Sequence, residues 1–163
     1  MKSFLYVMVE KIPLLIDGGS VHEILPLTQD NLPQGANNGS ASGHFDWRNQ
    51  LLPIVNARTL LELPIANEAT QRAGIVYQTN PDHAPIFLIV DEVVRILKLG
   101  LSAFVSLPNV PEKLLYLFDK VYVDIDQQRQ AYCFRNPLPD GILNDVSSVV
   151  KTDHNLGAKD ESC

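Results

Sequence analysis

His44 and Asp46 stand two residues apart, a spacing that turns both side chains to one face of a strand. Such a pair could give a metal two ligands, but a metal site needs further donors. His22, His83 and His154 offer none at ligand spacing on a shared element, so all four histidines read as solvated. Asp91 and Glu92 follow the apolar run "FLIV". Buried together they would be a general acid/base candidate. In a tight turn between two strands, Asp91 would instead cap a backbone N–H, and that is the stronger reading. Asp124 and Asp126 are strand-spaced near a turn and read as solvated carboxylates. No glycine-rich phosphate loop, nucleophile elbow or zinc motif is present. Cys133 in "QAYCFRN" reads as a small buried hydrophobe, while Cys163 closes a polar tail that a disulfide would have to tie to the core. What remains is Arg48 in "DWRNQLLPIV". A hairpin arginine is ordinarily solvated, or in a surface ion pair contributing under about 1 kcal/mol. Its neighbour Trp47 favours a partner contact a little, because Trp and Arg are enriched at binding hot spots, though Trp47 could equally face the core.

The elements that position these residues read as β. "SFLYVMV" and "IPLLI" are short apolar strands joined by a turn at Glu10-Lys11, a pattern unlike a signal peptide. "SVHEIL" reads as one helical turn or a strand, and residues 28–43 as a polar loop. "FDW" and "LLPIV" form a hairpin turning at Arg48-Asn49, with Pro53 expected on a strand edge where its missing N–H is no loss. Asn56 is a good N-cap for a short helix over "ARTLLEL" that Pro64 ends. "AGIVYQT" and "APIFLIV" make a second hairpin. "VVRILKL", "AFVSL", "LLYLFDKVYVDID" and "QAYCFRN" continue as strands, with the valines and Ile125 on the buried face of "KVYVDID". "GILNDVSSVV" reads as a terminal helix.

Many short strands with turn signals indicate an all-β protein of small packed barrels rather than alternating β and α units. The 163 residues suit one domain over residues 1–150, built of two subdomains, with a polar tail over 151–163. A net charge of −6 argues against a nucleic-acid partner, which needs clustered Lys and Arg. It also disfavours an anionic membrane surface. No run approaches the roughly 20 apolar residues of a membrane span, which suggests a cytoplasmic protein.

The order of these features resembles the CheW-like family, coupling proteins of bacterial chemosensory arrays. The early strands end in Val21-His22-Glu23-Ile24, matching that family's apolar-x-Glu-Ile element. Gly43, Arg48, Pro53 and Arg58 stand at the mutual spacing of its central motif, and Val90-Asp91-Glu92-Val93 matches a later one. The similarity spans residues 3 to 150. Asp46-Trp47 replaces the usual Asn-Leu before the arginine, Asn49 the glycine after it, and Asn56-Ala57 an Asp-Leu; the segment before Gly43, which in the family carries prolines and apolar residues, is here "PQGANNGSAS". Such departures resemble those of divergent members, such as adaptors in systems that control type IV pilus motility. The resemblance implies two intertwined five-stranded SH3-like barrels with one or two short helices and a hydrophobic groove between the barrels. It implies no catalysis and no cofactor. The partners it implies are the cytoplasmic tip of a chemoreceptor and the regulatory domain of a CheA-type histidine kinase, with no nucleic acid and no direct membrane insertion. Arg48, Trp47, Asp46 and Asn49 would form the contact at the hairpin tip, with Val21, Glu23 and Ile24 on the neighbouring surface. Two alternatives remain: a small β-barrel enzyme or ligand-binding protein using Asp91, Glu92 and His44, and a CheW-like scaffold that does not couple a kinase.

Overall fold

A computed structural model describes residues 1–28, 43–64, 72–78, 81–107, 112–124 and 128–135. Residues 141–150, the tail, His154, Asp126 and Cys163 lie outside the described residues. The chain runs through β1 (Lys2–Val9), β2 (Ile12–Asp17), a 3-10 turn (Gly18–Ser20), β3 (Val21–Leu27), β4 (His44–Trp47), β5 (Gln50–Asn56) and α1 (Ala57–Leu60). There follow β6 (Arg72–Tyr77), β7 (Ile86–Val90), β8 (Glu92–Leu99), β9 (Phe104–Val105), α2 (Glu112–Leu117), β10 (Phe118–Asp124) and β11 (Arg129–Phe134).

The strands make two curled sheets. One has the order β8-β1-β2-β11-β10-β9 and the other β3-β6-β7-β5-β4. The chain starts in the first sheet, builds the whole second sheet, and returns to finish the first, which is why the two halves are intertwined. Period-2 alternation then separates three cores. Leu5, Val7, Val9, Leu14 and Ile16 of the first sheet meet Ile75, Tyr77, Leu88 and Val90 of the second, forming the layer shared by both. Phe4, Tyr6, Leu15, Ala131 and Cys133 fill the other face of the first sheet. Leu27, Leu52, Ile54, Val76, Phe87 and Ile89 fill the other face of the second. Central strands such as β6 and β7 are therefore buried on both faces and read as unbroken apolar runs.

Three sequence expectations need correction. Pro53 lies in an interior strand, since β5 sits between β7 and β4. It is tolerated because it faces His44 in a pair without hydrogen bonds, and the ladder to β7 begins only at Ile54. "EKLLYL" is helix α2 rather than strand, because a short apolar run fits either period. Asp124 is buried rather than solvated, 4.0 Å from the Arg95 guanidinium of β8. Helix α1 begins at the expected N-cap, where the Asn56 side chain accepts from the Arg58 N–H at 2.9 Å. It stops after one turn, where Glu62 takes a left-handed φ of 58°.

Cys133 is buried as expected, and burial pushes its thiol up to about 12. Ionisation therefore opposes the folded state. The stabilisation from a neutral thiol is complete below its ordinary value of 9.0 and is lost as pH rises towards about 12. In a Cys163→Ser variant at pH 8, Ellman's reagent is expected to label Cys133 only on the timescale of unfolding; immediate labelling would contradict its burial.

Candidate functional site

Strand β3 forms one edge of the second sheet and β4 the other. Their side chains meet across the open seam. The β4–β5 hairpin turns in two residues, with Arg48 at φ 52° and Asn49 at φ 65°. Two left-handed residues define a type I′ turn, whose twist matches the strands but which usually employs Asn-Gly. The turn throws the Arg48 side chain back over the Trp47 ring, 4.7 Å from its centroid. Its guanidinium lies 3.8 Å from the Glu23 carboxylate of β3. The His22 ring tilts against Trp47 at 5.7 Å and pairs with the Gln78 side chain at 2.7 Å. So His22 is an exposed strand residue with partners rather than a loop histidine. The Trp47 indole N–H is buried and finds no hydrogen-bond acceptor among the described residues.

The ion pair at this tip adds little to stability. The Arg48 side chain is 73% exposed, so its pair with Glu23 contributes under about 1 kcal/mol. Arg48 is nonetheless pre-ordered by the stacked indole, and Leu51, 66% exposed, continues the surface as the cross-strand partner of Asp46.

Ile24 faces elsewhere. A β-bulge at His22 resets the register, so that Glu23 pairs with Val76 while Ile24 pairs with Ile75 on the opposite face. There Ile24 and Pro26 line an open cleft of about 630 Å³ between the sheets. Its second-sheet wall adds Arg72 and Ala73 of β6. Its first-sheet wall is Met8, Glu10, Glu92 and Val93. Val21 packs partly buried against the shared core. The expected site residues thus fall into two surfaces on either side of one strand: Asp46, Trp47, Arg48, Asn49 and Glu23 at the tip, and Ile24 in the cleft.

A clasp missed as a unit by sequence reasoning closes the end of that cleft. Arg58 forks onto Asp91, with Nε to Oδ1 at 2.9 Å and Nη2 to Oδ2 at 2.6 Å. The same Asp91 carboxylate accepts the Glu10 backbone N–H, and the Asp91 N–H donates to the Met8 carbonyl at 3.1 Å. Arg58 also reaches the Pro64 carbonyl at 2.9 Å. Hydrogen bonding to Asp91 raises the Arg58 pKa above its ordinary value, while burial lowers that of Arg72. Asp91 is therefore the expected cap at the β7–β8 bend, and it also ties α1 to the β1–β2 turn. A carboxylate so engaged is not a free base. His44, on β4, does not line the cleft. No group of three or more His, Cys, Asp and Glu residues among the described ones could hold a metal.

Two curled sheets back to back, with an exposed hairpin tip and an open cleft flanking one strand, define a double-barrel module of the SH3-like kind. The CheW-like domain model matches residues 3–114, and the chain belongs to that family. The fold is similar to that of the scaffolding protein TtCheW from Thermoanaerobacter tengcongensis. The two share a TM-score of 0.66 at 13% identity, over 82% of this chain and 88% of that one. No curated protein matches the sequence significantly.

Proposed function

We propose that this chain is a non-catalytic cytoplasmic adaptor that couples chemoreceptors to a CheA-type histidine kinase in a bacterial chemosensory array. The observation that carries this reading is the division of β3 into two unlike surfaces. A bridging protein must hold two partners at once, and the cleft and the Arg48 tip are separate enough to do so. An open cleft that sets Met8, Ile24, Pro26, Ala73 and Val93 among charged residues suits an amphipathic helix, such as one from a receptor tip. The exposed tip, with arginine stacked on tryptophan, suits an acidic group on the kinase regulatory domain. Preformed barrels leave little to order on binding, so modest contacts give reversible assembly. No helix among the described residues is long and apolar enough to cross a membrane, so the reading asks receptors to supply any membrane attachment.

Co-purification of the folded protein with its cognate kinase regulatory domain and receptor tip fragment tests the proposal; binding to neither would overturn it. Arg48→Ala is expected to change stability by less than about 1 kcal/mol, because an exposed pair is lost. The same substitution should weaken kinase binding about tenfold, and Arg48→Glu more. A large drop in melting temperature for Arg48→Ala, with binding unchanged, would make the arginine structural instead.

A further inference from the structure

The cleft resting on that reading is not simply apolar, and its charge is unevenly placed. Three carboxylates face it against two guanidiniums. The cations are withdrawn: Arg58 is held in the fork to Asp91, and Arg72 is 6% exposed. The carboxylates that remain at the surface, Glu10 and Glu92, are both exposed; the fork to Asp91 raises the Arg58 pKa, and the Glu10 charge adds to that rise. Glu10 and Glu92 also lie on one wall. Glu92 pairs with Met8 across β1 and β8, and Glu10 sits two residues further on in the β1–β2 turn. The facing wall offers Ile24 and Pro26, both without charge.

We infer that the cleft selects an amphipathic helix whose apolar stripe is bordered on one side by Lys or Arg. The stripe would lie on Ile24, Pro26, Met8 and Val93. The basic border would lie against Glu10 and Glu92, where opposite charge favours encounter and rejects an acidic competitor. One-sided negative charge also fixes which way round the helix lies, since the reversed helix would set its cations against the wall of Ile24, Pro26 and the buried Arg72, which carries no carboxylate. Glu92 follows directly on the clasp residue Asp91 and begins β8, so its backbone is positioned by a bend that the Arg58–Asp91 fork holds.

The test uses two blocked 18-residue peptides with the same leucine stripe at i, i+3, i+4 and i+7 spacing. One carries lysines along one border and the other glutamates, with glutamine elsewhere. Binding to the full chain is followed by fluorescence anisotropy in 50 mM and 200 mM salt. The lysine peptide is expected to bind at least tenfold more tightly than the glutamate peptide. Glu10→Gln with Glu92→Gln should remove most of that preference and flatten the salt dependence. Glu112→Gln, an exposed carboxylate on α2, controls for the overall charge and should leave the preference intact. Equal binding of both peptides, each abolished by Ile24→Asp, would overturn the charge selection while leaving the cleft as a helix site. Binding indifferent to Ile24→Asp would overturn the cleft reading itself. A preference lost equally in Glu112→Gln would show net charge alone at work and overturn the inference.

Discussion

Gly74→Ala is expected to destabilise the protein by about 3 kcal/mol, the upper range for overpacking a core. Gly74 lies in β6, between Leu25 of β3 and Ile89 of β7. Its missing side chain would point into the core of the second barrel, where the Phe87 ring covers it. A Cβ built on Gly74 collides with the tip of that ring, nearest Cζ and 2.6 Å from Cε2. The ring cannot swing away freely, because Phe45 stacks on it at 4.0 Å with planes 15° apart. An alanine must therefore displace two aromatic rings at once, an effect larger than the better strand propensity it brings. For a chain of this size the melting temperature should fall by roughly 6–12 °C. Phe87→Leu in the same chain would vacate the space and recover part of the loss, as a thermal melt of the double variant would read. A change of under about 0.5 kcal/mol in Gly74→Ala would mean the rings are loosely held, and the hairpin carrying Phe45, Trp47 and Arg48 with them.

That coupling explains what could be read from the sequence and what could not. β1, β2, β6 and β7 were legible because apolar runs bounded by turn residues have few other solutions. The Arg48-Asn49 turn was legible from the hairpin around it, and Asn56 from its capping chemistry. Helix α2 was not, because six residues hold too few periods to separate helix from strand. Asp124 was misplaced for a different reason. Alternation names the two faces of a strand but does not say whether the outer one is covered, and β10 lies between β9 and β11 in a curled sheet. The CheW-like motifs named Arg48, Arg58 and Asp91 by spacing, yet not that the last two hold each other. The cleft is the least legible feature of all. Its walls come from segments around residues 8, 24, 72 and 92, joined only by the crossing of the chain between sheets.

Arg58→Ala is expected to lower stability by about 2–3 kcal/mol, in contrast to the near-neutral Arg48→Ala. Both arginines face a carboxylate, but the Arg58 and Asp91 side chains are 15% and 22% exposed, against 73% for Arg48. Removing one partner from a largely buried fork strands the other charge, and this carries most of the cost. The value falls short of a fully buried pair because Asp91 keeps the Glu10 N–H and some water. Arg58→Lys should recover only part of the loss, since a lysine cannot make both hydrogen bonds of the fork. Asp91→Asn should cost as much as Arg58→Ala, and the double variant less than the sum of the two, which a thermodynamic cycle from urea unfolding would measure. Additive losses would show that the two side chains do not act together. The same cycle bears on function. The clasp joins α1, which leaves the second sheet, to the β1–β2 turn of the first, so it sets the spacing of the two cleft walls. Loosening it should weaken the helix binding proposed for the cleft while leaving the kinase contact proposed at the Arg48 tip unchanged, because that tip is held by Trp47 and Glu23 on the far side of β3.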